Sequence, residues 1–257
     1  MDEQLDHKTQ EIWREINETN HGYLIVLISA IIFYVLSLVS HSNAPVASNS
    51  KWKWKNISVS FIHSIITSIW AVNCFLERPD MAEDLITTYT FSSHSLVSFS
   101  VGYFLYDLVD LITYKRTRQS LEFIGHHVVI ITCFMVAVWT RHYVGYAVVA
   151  LLVEINSIFL HSRQLLQICG VSKFNPWYRL NSLINLASFI IFRILLLAWM
   201  TRWIVINKDA VPLVFYSLGS VGLAVMIAMN IILFYRLLQS DFISLKDTDK
   251  ASKKVSD

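Results

Sequence analysis

Apolar positions along this chain are not interleaved one-for-one with polar ones but run in seven long blocks, at about 23–40, 57–76, 91–113, 124–140, 143–162, 181–205 and 211–235. An α-helix rises 1.5 Å per residue, so about 20 apolar residues cross a hydrocarbon layer of ~30 Å. Each block therefore predicts one membrane-spanning helix. Between them lie short polar connectors, of which SHSNAPVASNS at 40–50 is the richest in turn-forming residues and sets the first helix apart from the six that follow. The polar run over 241–257 lacks apolar periodicity and predicts a disordered cytosolic tail. Residues 1–22 are polar and mixed in charge, without the short apolar core and small-residue cleavage site of a signal peptide, so the first span must serve as the insertion signal.

Composition strengthens this reading. Of 257 residues, 54% are hydrophobic and only 16% charged, which is too apolar for an ordinary soluble domain. The fold class expected is all-α: a polytopic membrane protein with seven transmembrane helices. Lysine and arginine then orient it, because basic residues collect in short cytoplasmic loops. Fourteen lie on one side, among them Lys51, Lys53, Lys55, Lys115, Arg116 and Arg163, against six on the other, and Arg193 alone falls deep inside a block. Seven spans with the N-terminus outside and the C-terminus cytosolic satisfy the count. In KWKWK at 51–55, tryptophans and lysines alternate as in an interfacial anchor.

Several function classes lose support. There is no G-x-G-x-x-G, no P-loop and no repeat of 20–50 residues, so nucleotide hydrolysis and dinucleotide redox chemistry are not indicated. Cys74, Cys133 and Cys169 match neither a disulfide framework nor a metal-ligand spacing. The histidine pair lacks the i, i+4 spacing and third ligand of a zinc helix, so no metal site is expected. No nucleic-acid partner is expected either, and nothing in the pattern fixes an oligomeric state.

What carries chemistry is the set of polar residues inside the blocks: His63, Asp107 and Asp110, His126 and His127, Glu154 and Asn156, Asn181 and Asn185, and Arg193. Polar groups at membrane depth are tolerated facing a bundle interior or wet cavity, so their spread over nearly every later helix predicts a shared internal site. Tyr103, Asp107 and Asp110 share one helix face, and at least one of the two carboxyls calls for a partner, Arg193 or a histidine. Arg193 in turn calls for a carboxylate or a lipid phosphate. His126 and His127 point about 100° apart on a helix. One imidazole can thus face a substrate as base or nucleophile while the other bonds a neighbouring helix, and both roles stay open. Glu154, on the next span, is the candidate to orient the reactive imidazole.

The segments KWKWKNISVSFIHSIITSIWA, SVGYFLYDLVDLI, EFIGHHVVI, ALLVEINSIFLHSRQLL and the FR of the sixth block resemble, in order and spacing, the TLC domain family shared by ceramide synthases and translocating-chain-associated membrane proteins. The resemblance covers about residues 51–240 and implies a six-helix barrel-like bundle around a lipid-accessible cavity, preceded here by one extra helix. It also implies that His126 and His127 match the double histidine of ceramide synthases. The aspartate pair of those enzymes reads Glu154 and Ser157 here, which removes one acid and argues against ceramide synthesis. The likeness is greatest to TLC-domain regulators of plasma-membrane phospholipid composition and fluidity. It implies restriction of long-chain polyunsaturated fatty acid incorporation, with membrane phospholipids, fatty acyl chains and lipid-remodelling enzymes as partners. No bound cofactor is implied, and acyl-CoA is the candidate co-substrate. The ending KKVSD carries no retrieval signal, which favours the plasma membrane over the endoplasmic reticulum.

Overall fold

The computed structural model describes residues 2–45, 50–114 and 118–243. It is 87% helical with no strand among the described residues. Seven stretches are long and apolar enough to cross a membrane, which makes the chain a multi-pass all-α membrane protein. In order these are the end of α1 (Asp2–Ser42), α2 (Lys51–Glu77), α3 (Phe91–Thr113), α4 (Arg118–Thr140), the pair α5 (Val144–Leu151) and α6 (Glu154–Ile168), the run α7 (Pro176–Phe189) to α8 (Leu196–Ile206), and α9 (Leu213–Leu238). A π-helical segment, Ile190–Leu195, joins α7 to α8, and a second, Gln239–Ile243, follows α9.

The helix ends follow from local chemistry. Thr90 accepts a hydrogen bond from the Ser93 backbone N–H while Ser93 reaches back to the Thr90 N–H, a capping box that starts α3. Asn175 caps α7 by accepting from the Trp177 N–H, with Pro176 in the first turn, where a missing N–H costs nothing. Gly170 has φ +74°, the left-handed conformation that closes the turn after α6.

The chain divides into two compact units, Met1–Ala44 with Ile62–Leu152, and Pro45–Phe61 with Val153–Asp257. In the first, α1 lies against α3 with little between the backbones. A Cβ on Gly102 of α3 would fall 2.6 Å from Ser29 Cβ and 2.9 Å from the Ala30 N of α1. The Ser29 hydroxyl donates to the Phe99 carbonyl at 2.6 Å. Small residues at a crossing are what membrane helices need, because lipid chains are as apolar as leucine and association rests on close packing. Beside this contact Phe33, fully buried, meets the rings of Phe99 and Tyr103 at 5.2 and 5.0 Å. The connector between α2 and α3 is tucked in as well: Met81 and Leu85 are fully buried, and the Ile86 carbonyl accepts from the Tyr143 N–H at 2.7 Å.

In the second unit α6 packs on α7, and α8 on α9. Arg163 of α6 donates to Asp241 from Nε at 2.5 Å and also from Nη2, and Asp241 further accepts from the Ser182 hydroxyl at 2.9 Å and the Tyr178 hydroxyl at 3.1 Å. Lys173 Nζ donates to the Ser240 carbonyl at 2.9 Å.

Three features depart from the sequence reading. The first helix does not stand apart from the rest: the turn-rich linker separates it in sequence, but Gly102 and Ser29 bring it onto α3. Its helix also extends back to Asp2, through the polar N-terminal segment 1–22. Arg163 is not a solvated orientation charge, and Asp241 is not the start of a tail, since the two form a buried pair with side chains 8% and 2% exposed. The remainder of the expected tail, 244–257, and the basic residues Lys115 and Arg116 lie outside the described residues.

Two stability measurements check this packing. Gly102→Val forces α1 from α3 and is expected to destabilise by about 1–3 kcal/mol, read as a lower melting temperature in detergent. Arg163→Met strands the Asp241 carboxylate and is expected to cost about 3–5 kcal/mol, with part of that loss recovered when Asp241→Leu is added.

Candidate functional site

The capping box fixes where α3 begins, and residues four apart on a helix face the same way. Tyr103 and Asp107 therefore sit one above the other, each 5% exposed. Across from them α4 presents His127. Its Nε2 lies 2.9 Å from Asp107 Oδ2, with the two side chains 9% and 7% exposed. Its Nδ1 is 2.8 Å from the Phe123 carbonyl one turn back on α4. A carbonyl only accepts, so Nδ1 carries a proton and donates it there. Both nitrogens of His127 are thus engaged, and the ring is fixed in position and tautomer. Phe104 covers it edge-on at 5.8 Å.

His126, the neighbour in sequence, is half-buried and meets the His127 ring at 5.4 Å with an interplanar angle of 88°. The pair thus divides as adjacent helical residues must: His127 inward, His126 toward the flank. Asp110, one turn beyond Asp107, is also half-buried. His63 of α2 is almost completely buried and stacks on Tyr103 at 3.8 Å, with Phe33 and Phe104 edge-on to it at 5.7 and 5.4 Å. The histidine that carries Asp107 and the histidine that stacks on Tyr103 are therefore linked through one face of α3.

His94, which the sequence reading passed over, is 1% exposed and donates from Nε2 to the Val138 carbonyl at 3.1 Å. It ties α3 to the end of α4. Its only signal in the sequence was a histidine in an apolar window.

The second unit holds a separate polar cluster. Arg193, carried by the π segment, donates from Nε to Asn156 Oδ1 at 2.6 Å, from Nη1 to Asn230 Oδ1 at 2.9 Å and from Nη2 to the Ser157 hydroxyl at 2.8 Å. Phe189 lies beneath it, 5.6 Å from ring centroid to guanidinium carbon. Asn156 Nδ2 donates onward to the Asn185 carbonyl, to Asn185 Oδ1 and to the Ser188 hydroxyl, each at 2.9 Å. Asn181 donates to the Phe159 carbonyl at 3.0 Å and helps hold α7 on α6.

The predicted site residues are therefore sorted rather than merged. His63, Asp107, Asp110, His126 and His127 belong to the first unit, and Glu154, Asn156 and Arg193 to the second. The carboxylate that meets His127 is Asp107. The salt bridge expected between Arg193 and Asp107 or Asp110 is replaced by neutral oxygens of Asn156, Asn230 and Ser157. The physical reason is the same in both cases. Each buried ion takes the nearest oxygens its own helices supply, and α3 supplies an aspartate to His127 where α6 and α9 supply amides and a hydroxyl to Arg193.

Comparison with known proteins follows the same residues. The TLC domain family model matches residues 53–239. A TLC domain-containing protein 2 of Danio rerio is 54% identical over 214 residues, covering 82% of this chain and 87% of its own length. A TLC domain-containing protein 1 of Homo sapiens is 37% identical over 191 residues, covering 74% of this chain and 76% of its own. The human TLC domain-containing protein 2 is 36% identical over 195 residues, covering 76% of this chain and 74% of its own.

The His127–Asp107 pair makes a stability prediction of its own. Asp107→Ala leaves a buried imidazole without its partner and is expected to cost about 3–5 kcal/mol. Asp107→Asn, whose amide N–H donates to the neutral Nε2, is expected to stay within about 1 kcal/mol of wild type. Melting temperatures of the two purified variants separate these outcomes.

Proposed function

The chain belongs to the TLC domain family, a multi-pass membrane protein with a lipid-related role, and from that premise we propose that it controls the acyl composition of membrane phospholipids. Specifically, it restricts incorporation of long-chain polyunsaturated fatty acids and so lowers bilayer fluidity. The observation that carries the reading is the buried His127–Asp107 pair beside half-buried His126, inside a bundle whose outer surface is lipid-facing in composition. The supporting analogy to regulators of fluidity rests on the family resemblance alone.

The chemistry this arrangement suits is acyl transfer. His126 takes the proton from the hydroxyl of a lysophospholipid, whose oxygen attacks the thioester carbonyl of an acyl-CoA. The new C–O bond forms as the C–S bond breaks, and the thiolate leaves with the proton that the imidazolium returns. His127 is a positioning residue: held by Asp107 and the Phe123 carbonyl, it fixes its neighbour on the helix. Glu154 is given no step. A second reading has its own observation, since both nitrogens of His127 are already bonded, as they would be in a purely structural pair. On that reading the chain binds acyl lipid without turnover and acts on other remodelling enzymes. In either case the proposed location is the plasma membrane with the N-terminus outside; the distribution of lysine and arginine supports that orientation.

The test is lipidomics of deletion cells fed a polyunsaturated fatty acid and complemented with wild type, His126→Ala or Asp107→Asn. Deletion is expected to raise polyunsaturated phospholipid, wild type and Asp107→Asn to reverse it, and His126→Ala to fail although it folds. With purified protein, His126→Ala is expected to lower acyl transfer from acyl-CoA to lysophospholipid by about 100-fold or more. No effect of deletion would sink the proposed role; full rescue by both variants would leave only the binding reading.

A further inference from the structure

The carboxylate of Asp241 is fully used. Oδ1 accepts from Arg163 Nη2 and, at 3.1 Å, from the Tyr178 hydroxyl, while Oδ2 accepts from Arg163 Nε at 2.5 Å and from the Ser182 hydroxyl at 2.9 Å. A carboxylate offers about four lone-pair sites, so nothing is left for a further donor. Lys173 lies beside this pair and turns to neutral oxygens instead, its Nζ 2.9 Å from the Ser240 carbonyl and 3.4 Å from the Ser240 hydroxyl. Arg163 Nη2 meets the same hydroxyl at 2.9 Å. Two cations thus converge on Ser240, and the one ion pair belongs to Arg163. The third N–H of the half-buried Lys173 has no acceptor among the described residues.

A further cation stands next to the network. Arg179 follows Tyr178 on α7 and precedes Ser182 by three, so it flanks the face with which α7 holds Asp241. It is exposed, and its guanidinium forms no ion pair among the described residues. Phe174 and Trp177, 59% and 74% exposed, lie between Lys173 and Arg179 in the chain.

The chain supplies no acid to answer these charges. From 155 to 208 it contains neither Asp nor Glu. Among the described residues of the second unit the acids are Glu154, Asp209 and Asp241. Glu154 opens α6 at the far end from Lys173, and Asp209 joins the sixth and seventh spans at their opposite end. Asp241 alone is at this end, against Arg163, Lys173, Arg179 and Arg236, with Lys51 and Lys53 where the second span begins. Beyond Ile243 the sequence adds four lysines and three aspartates, so it does not restore the balance.

We propose that Lys173 and Arg179 form a docking site for the phosphate of an anionic phospholipid headgroup. The connector that carries Lys173 joins the ends of two spans, which is headgroup depth, and exposed aromatic rings beside it suit the membrane interface. A phosphate accepts from both an ammonium and a guanidinium fork. A lipid of net negative charge brings the anion that the saturated Asp241 cannot provide, whereas phosphatidylcholine carries its own cation. In the orientation proposed above, this end faces the leaflet that holds anionic lipid. The site uses neither His126 nor His127 and does not depend on acyl transfer.

The experiment titrates the full-length protein in detergent with dioleoyl phosphatidylserine or dioleoyl phosphatidylcholine and counts retained lipid by native mass spectrometry. Wild type is expected to retain phosphatidylserine in preference, and excess inorganic phosphate is expected not to displace it. Lys173→Gln and Arg179→Gln are each expected to weaken that retention about fivefold, with the melting temperature held by the intact Arg163–Asp241 pair. Arg202→Gln removes an equal charge at the opposite end of the unit and is expected to change nothing. If Lys173→Gln does not fold, Arg179→Gln decides, since its side chain holds no described partner. Equal retention of the two lipids, or wild-type retention by either variant, would overturn the proposal. So would an equal loss in Arg202→Gln, which reduces the effect to diffuse charge, or displacement by inorganic phosphate, which makes the ligand a free anion. His126→Ala is expected to retain phosphatidylserine as wild type does.

Discussion

A polar group inside this chain has to be satisfied by the chain. Outside the helices is hydrocarbon rather than water, so an amide, imidazole or guanidinium that misses its internal partner has no fallback. Under that constraint, several of the buried polar residues come as connected sets. His127 reaches Asp107 in one direction and the Phe123 carbonyl in the other. Arg163 shares Asp241 with Tyr178 and Ser182. Arg193 recruits two helices, α6 through Asn156 and Ser157 and α9 through Asn230. Each set also pins the helices that supply it, so the groups with chemical potential are the same ones that fix the packing.

Two of the buried charged residues of the second unit share a further device. Arg193 lies in the π segment Ile190–Leu195, and Asp241 in the π segment Gln239–Ile243. A π turn takes one more residue than an α turn, so it rotates the following side chains relative to those before it. In the run from α7 to α8 this lets an arginine turn inward although the surrounding Ile191, Ile194 and Leu195 remain on the outer face, 53%, 42% and 59% exposed. After α9 it keeps the chain helical past the end of the apolar block, far enough for Asp241 to reach Arg163.

The seven helices were legible because lipid imposes a simple rule on sequence: apolar blocks long enough to span. The pairing of buried groups was not, for a reason visible in particular residues. Arg163 sits at the end of an apolar block, where arginines commonly orient a helix, and its partner is 78 positions away in a stretch that reads as polar tail. Nothing in local periodicity connects them. Sequence order does not say which helix supplies the carboxylate that meets His127, and Asp107 comes from the preceding one. Gly102 and Ser29 were unremarked because small residues announce a close crossing only once both helices are known. Asp107 itself was recognised as needing a histidine or an arginine, and the histidine is what it has.

That pairing has a consequence for how protons can move. Because the Phe123 carbonyl holds the Nδ1 proton, a single further proton occupies the line between Nε2 and Oδ2, whether it resides on the imidazole or on the carboxyl. Both arrangements have zero net charge. The pair is therefore tolerated in apolar surroundings in a way that neither partner alone would be. A group that exchanges protons with a substrate needs access and a change of charge that its surroundings can bear, and the half-buried ring of His126 meets that requirement better than His127 does. The double histidine is thus two different residues: His127, bonded to Asp107 and the Phe123 carbonyl, and His126, half-buried at the flank of the helix.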